Sequence, residues 1–237
     1  MLITRRFTAL NNIPVDMEKA KKYAFTMRLR EVFTDGLLTN LKWNLLFIFT
    51  SLPVVTIGAS MAALSHCTNL LVKDDMVQHH AAKIYFAAFK ASFKRAFPVG
   101  LAILVLNVIF GTGISYYVQL MGQNVMFVPL ASASLLAVIA VWAVIIHLMP
   151  SFFESTDFDS NTVTVSTAST RELISLAART VLVTMKKTII TLLISTFILA
   201  VLALYMPVTI PIVLTLGFSI PAQICAFSHT EPEILDY

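Results

Sequence analysis

The residues best suited to chemistry in this chain are polar side chains within long apolar stretches. They are His66, Asn69, Asn107 and His147, and Gln119 lies near the end of one such stretch. Polar groups inside a bilayer usually face the protein interior and often mark a functional pathway. They also hydrogen-bond between helices, in which case they serve the fold alone. The sequence leaves both roles open and favours the structural one.

Sequence motifs for catalysis are absent. There is no His-Glu-x-x-His metal motif, no paired-cysteine motif, no Walker-type glycine loop and no dinucleotide fingerprint. Cys67 and Cys225 lie in apolar runs without further ligands at metal spacing, which predicts neither a disulfide nor a zinc site. The apolar stretches contain no Asp or Glu, which disfavours a proton-coupled or sodium-coupled carrier. We therefore expect a protein that is not an enzyme and that binds no cofactor.

Charge is scarce and unevenly distributed along the chain. Of the 237 residues, 57% are hydrophobic and 13% are charged, whereas soluble domains carry about 25% charged residues. Charged residues are missing from 43–72, 96–153 and 188–230. Because one membrane helix needs about 20 apolar residues, the second and third stretches are each long enough for two spans. The chain is therefore predicted to cross a membrane several times.

The predicted fold class is all-α, a polytopic membrane helix bundle of six spans in three hairpins, with cytoplasmic amphipathic helices. A cytoplasmic segment with a basic helix occupies 1–36, a single membrane domain 37–227 and a cytoplasmic tail 228–237. The spans are placed at about 37–52, 58–73, 98–120, 125–149, 187–206 and 209–227. Residues 154–170 are rich in Ser and Thr and predict a polar loop. Ser169 and Glu172 predict a capping box at the next helix.

The distribution of basic residues predicts the orientation. In this six-span arrangement all 17 Lys and Arg fall on one side if Lys42 is assigned to the near end of the first span. Cytoplasmic loops carry the excess of positive charge, so both termini should lie in the cytoplasm and the protein in the cell membrane. The net charge of +4 is thereby explained without nucleic acid as a partner. One alternative stays open, namely that 41–72 forms one span and a re-entrant segment.

A turn between the first two spans organises the chain. Pro53 lacks a backbone donor and disfavours helix at Leu52, and Gly58 permits backbone angles that other residues avoid. Thr50, Ser51 and Thr56 are the nearest side chains able to bond the freed backbone groups. Small residues after the turn should let the second span pack closely. The motif comprises Asn44, Leu52, Pro53, Thr56, Gly58 and Ala59. Trp43, near the start of the first span, is predicted to be an interfacial anchor.

Residues 83–97 predict an amphipathic basic helix at the membrane surface. Four phenylalanines recur within about 80° of one another on a helix, and lysines flank them, as suits a helix lying at the lipid headgroups. The alternative is a lysine-bearing extension of the third span. Membrane lipid is the predicted partner of this surface. The phenylalanines are Phe86, Phe89, Phe93 and Phe97, and the basic residues are Lys83, Lys90, Lys94 and Arg95.

Several short segments of the sequence resemble the YesL-like family of bacterial integral membrane proteins. They are Asn44-Leu45-Leu46, Ser51-Leu52-Pro53-Val54-Val55-Thr56-Ile57-Gly58-Ala59, Ala62-Ala63-Leu64 and Phe89-Lys90-x-x-Phe93-Lys94. The resemblance covers roughly 33–227 and is most specific in 44–64. Phe47 stands where the family has a tryptophan, and Ser65-His66 where aromatic residues are common.

The family's function is largely unknown, but its members are often encoded beside carbohydrate-uptake systems. The resemblance therefore implies an accessory protein of sugar import, with an ABC-type sugar transporter as its partner. The alternative is a permease or transport subunit in its own right. It would use the broken helices at Pro53/Gly58 and Pro207/Pro211, because discontinuous helices often line transport sites.

Overall fold

A computed structural model describes residues 37–73, 80–121, 126–157, 162–205, 213 and 217–229. The predicted basic helix within 1–36 and most of the predicted tail lie outside the described residues. So do Pro207 and Pro211.

The described residues form seven α-helices and one β-hairpin. The helices are α1 (Leu37–Ser51), α2 (Ile57–Lys73), α3 (Ala81–Leu120), α4 (Phe127–Leu148), α5 (Thr170–Val183), α6 (Met185–Leu204) and α7 (Ser219–His229). Strands β1 (Phe153–Asp157) and β2 (Thr162–Val165) lie between α4 and α5. Short 3-10 helices at Val54–Thr56 and Pro150–Phe152 precede α2 and follow α4.

The all-α class is supported, and the membrane character rests on four helical segments. Within the described residues, the segments long and apolar enough to cross a membrane are Val54–Val72, Ala81–Leu120, Phe127–Phe152 and Met185–Leu202. With 15 residues, α1 is shorter than the roughly 20 that an upright span requires, and so is α7 with 11. Part of the predicted sixth span lies outside the described residues.

Helix α3 replaces two predicted elements. The prediction of a separate surface helix at 83–97 is wrong. Its alternative, a lysine-bearing extension of the third span, is what the structure has, since α3 continues through Pro98. At 1.5 Å per residue, its 40 residues extend about 60 Å, twice the roughly 30 Å of a hydrocarbon core. Every fully buried residue of α3 lies between Ala81 and Gly100. The basic half of α3 therefore packs against the protein, and its uncharged half contributes nothing fully buried.

The polar loop predicted at 154–170 is also partly wrong. Strands β1 and β2 pair antiparallel, with Thr156 opposite Val163. The alternation Thr-Val-Thr-Val in β2 suits a strand, because β-branched residues pack well on a pleated surface. The capping box is confirmed at the start of α5. Glu172 N donates to Ser169 Oγ at 3.3 Å, and Ser169 N donates to Glu172 Oε2 at 2.9 Å.

Helix α6 has its polar side inside and its apolar side outside. Thr188, Thr191 and Ser195 are buried, whereas Leu193 and Phe197 are 66% and 70% exposed. Water-soluble helices show the opposite arrangement. In lipid, apolar side chains are favoured on the outside, and hydroxyl groups bond between helices. The arrangement therefore supports a membrane location for α6.

A close backbone contact joins α2 to α3. A Cβ atom on Gly58 would lie 2.5 Å from Gly100 Cα and would overlap the carbonyl oxygen of Ala96. The two backbones thus meet without an intervening side chain. The predicted close packing after the turn is confirmed, and Ala59 and Ala62 continue the contact as fully buried residues.

Trp43 is not an interfacial anchor. Its side chain is fully buried, and Nε1 donates to the carbonyl oxygen of Ala81 at 2.9 Å. Thr50 Oγ1 and Tyr85 Oη form a second hydrogen bond of 2.8 Å between the same helices. These two contacts show that α1 and α3 run in the same general direction from this end.

The glycine contact predicts the effect of added bulk. Gly58→Ala should lower the melting temperature of the purified protein, because overpacking a close contact costs about 1–3 kcal/mol. Gly111→Ala is the matched control, since a Cβ atom there meets nothing within 4 Å. That control should melt no lower than the unchanged protein. Equal melting temperatures for the two variants, measured by fluorescence in detergent, would contradict the contact.

Candidate functional site

The turn motif is built as a compact hydrogen-bonded loop. Helix α1 ends at Ser51, two residues before Pro53. Thr56 N and Thr56 Oγ1 both donate to the carbonyl oxygen of Pro53, at 2.8 and 2.7 Å. Thr56 Oγ1 also bonds the carbonyl oxygen of Thr50, and Ser51 Oγ bonds that of Ile48 at 3.1 Å. The predicted side chains therefore satisfy backbone groups at this break. Leu52 is 69% exposed beside it.

Asn44 belongs to the same sequence motif, but its side chain bonds residues at and before the start of α7. It is fully buried on α1, and its Nδ2 donates to the carbonyl oxygen of Val213 at 2.8 Å. Its Oδ1 accepts from Phe218 N at 2.9 Å and from Ser219 N at 3.1 Å. The first N–H groups of a helix have no partner within the helix. Asn44 therefore caps α7 across the bundle.

A second amide pair extends this contact by one turn of α1. Gln223 Nε2 donates to Asn40 Oδ1, and both side chains are almost fully buried. Sequence reasoning missed Asn40, Gln223 and Ser219. The available signal was the spacing of Asn40 and Asn44, which places two amides on one face of an apolar helix. Together these residues form what we call the amide cluster, made of Asn40, Asn44, Ser219 and Gln223.

The two histidines hold separate elements together. His66 Nε2 and Thr156 Oγ1 lie 2.7 Å apart, and the His66 ring stacks on Phe153 at 4.2 Å. These contacts attach the β-hairpin to α2. His147 Nε2 lies 2.9 Å from Thr188 Oγ1 and joins α4 to α6. Both histidines are buried.

The two remaining intramembrane amides lie apart from the histidines. Asn107 Nδ2 donates to the carbonyl oxygen of Ile103 at 2.8 Å, and its Oδ1 accepts from Trp142 Nε1 at 3.1 Å. This contact joins α3 to α4. Asn69 is half-buried on α2. His66, Asn107 and His147 thus contact three different partners and do not form a common site. No group of three His, Cys, Asp or Glu that could hold a metal occurs in the described part of the chain.

The predicted basic surface divides into two kinds of residue. Lys83, Lys90 and Lys94 are exposed on α3. Arg95 is half-buried, and its Nη1 donates to the carbonyl oxygens of Ser166 and of Ala168, the latter at 3.1 Å. Arg95 therefore ties the connection between β2 and α5 to α3, whereas the three lysines are exposed on the part of the chain that the structure describes.

These features define a helical protein whose described residues include four segments long and apolar enough to cross a membrane and whose buried polar groups join its elements. A model of the family described as "Protein of unknown function, DUF624" matches residues 37–114, and that family includes the YesL-like proteins. The match contains α1, α2, the turn motif and most of α3. Neither a curated protein nor a solved structure matches the chain.

The capping role of Asn44 predicts a large stability effect. Asn44→Ala should lower the melting temperature in detergent markedly, because leaving a buried polar group unpaired costs about 1–3 kcal/mol. Three backbone groups would be affected. Asn69→Ala, at a half-buried amide of α2, is the control and should melt close to the unchanged protein. Equal losses in the two variants would refute the cap.

Proposed function

We propose that this chain is a non-enzymatic accessory membrane protein that binds a membrane partner. The observation that supports this most is the use of the intramembrane polar groups. His66, Asn107 and His147 are each engaged with a different element of the chain itself. A transport pathway or an active site requires such groups to converge on one place. Their dispersal favours a protein that acts through its surface.

The surface that remains for such a partner includes the uncharged half of α3. In lipid, helices associate through small residues that allow close approach, because apolar burial alone gives no gain there. Gly111, Thr112 and Ser115 are exposed on this half. Both hydroxyl groups bond carbonyl oxygens of their own helix, Thr112 at 2.8 Å and Ser115 at 3.0 Å. This face suits a helix of a partner.

The resemblance to YesL-like proteins supports a role in carbohydrate uptake, and an ABC-type sugar transporter is the partner that it suggests. Purification of the tagged chain from native membranes should then recover a sugar transporter in stoichiometric amount. Gly111→Leu should reduce this recovery severalfold without changing the melting temperature. Gly58→Leu should lose folded protein instead. Recovery of folded protein with no membrane partner would refute the proposal.

The finer topology is part of the same proposal. We infer six spans in the bacterial cell membrane with both termini in the cytoplasm, since all 17 Lys and Arg then share one side. Reporter fusions after Lys73, Ser160 and Tyr237 should all give a cytoplasmic signal. An external signal at Ser160 would invert the orientation of the middle of the chain.

A permease is the second candidate, and the amide cluster is the observation that favours it. Gly217 N bonds the carbonyl oxygen of Val213 at 3.1 Å, and α7 begins only at Ser219. Gly217 and Phe218 form a turn, and Asn44 bonds Val213 before it and Ser219 after it. Broken helices beside buried polar groups often form transport sites. Sugar uptake by the purified chain alone in liposomes, abolished by Gln223→Leu in folded protein, would favour the permease over the accessory role.

A further inference from the structure

An open apolar groove runs along α1 beside the start of α3. Among its described lining residues, charge is confined to Lys42 at one end, and the rest are apolar. The lining residues are Lys42, Leu45, Leu46, Ile48, Phe49 and Leu52 of α1 and Ala82 of α3. From these features we propose that the groove binds an anionic phospholipid, with one acyl chain along α1 and the phosphate beside Lys42 and Lys83.

Some lining residues of the groove pack against the core, and others are exposed. Leu46 and Ile48 are half-buried and pack against the core between α1, α2 and α3. Phe49 and Leu52 are each 69% exposed. The hydrogen bond from Trp43 Nε1 to the carbonyl oxygen of Ala81 holds α1 against α3 at the charged end. The groove is therefore formed by the fold before any ligand enters.

The distribution of charge matches an amphiphile. Lys42 is the first lining residue along α1, and Lys83 follows the lining residue Ala82 and is exposed. From Lys42 onward the lining is wholly apolar for about 15 Å, at 1.5 Å per residue. Among the described residues, the lining contains no Asp or Glu. A bound molecule should therefore be negative at one end and apolar along the rest.

The direction of the groove agrees with a lipid of the cytoplasmic leaflet. Trp43 contacts Ala81, and Thr50 contacts Tyr85. Both helices therefore lead from the lysines in the same general direction, towards the uncharged half of α3. The leaflet that carries anionic lipid is the cytoplasmic one, and basic residues collect on that side. A lipid with its phosphate at Lys42 would thus point its chain into the bilayer.

The test uses the full chain with Phe49→Trp in lipid nanodiscs. Quenching of the fluorescence of the new tryptophan is compared between equal amounts of brominated phosphatidylglycerol and brominated phosphatidylcholine. The contribution of Trp43 and Trp142 is measured on the unsubstituted protein and subtracted. We expect stronger quenching by the anionic lipid. Removing one lysine should weaken that lipid's binding about fivefold, since each basic residue near an anionic surface contributes about 1 kcal/mol.

Matched double variants distinguish a specific lipid site from general attraction between basic residues and anionic lipid. Lys42→Gln/Lys83→Gln should abolish the preference for phosphatidylglycerol, whereas Lys186→Gln/Lys187→Gln, which removes two exposed lysines of α6, should leave it intact. The comparison requires that both double variants melt at the same temperature as the unchanged protein. Equal quenching by the two lipids, or equal losses in the two pairs, would overturn the proposal. So would a disulfide-linked dimer of Leu52→Cys in nanodiscs, which would place a second copy in the groove.

Discussion

The backbone contact between Gly58 and Gly100 is the constraint on which the packed part of the bundle depends. It brings α2 against the first half of α3 at a distance that no other residue pair would allow. Small buried residues continue the contact, and one core cluster contains Ala59, Ala62 and Ala96 together. In lipid such close approach replaces the hydrophobic drive of a soluble core. Helices α1, α4 and α7 pack against this pair, and α5 and α6 are attached through α4.

Polar contacts complete the attachment at defined points. Trp43 joins α1 to α3, Asn44 joins α1 to the start of α7, and His147 joins α4 to α6. Inside a membrane, an unpaired polar group costs several kcal/mol. These hydrogen bonds are therefore specific to one arrangement of the helices.

The sequence predicted what is encoded locally and missed what depends on distant partners. The capping box at Ser169 and the bonds of Thr56 involve residues a few positions apart, and both were found. The role of Asn44 requires Val213 and Ser219, whose proximity no local pattern reveals. The surface helix was predicted to end at 97 and the third span to begin at about 98, where Pro98 lies. That proline lies inside α3 because packing on both sides of it, at Ala96 and Gly100, holds the helix together, as membrane helices permit.

The two halves of α3 differ in what the fold requires of them. Gly100 is needed where it stands because a Cβ atom would meet the backbone of α2. Gly111 meets nothing in the described residues, yet a glycine within a helix costs about 1 kcal/mol relative to alanine. Within the described part of the chain, no contact requires a glycine at that position. The partner helix proposed above would account for a glycine at this position, because small residues let helices approach closely in lipid.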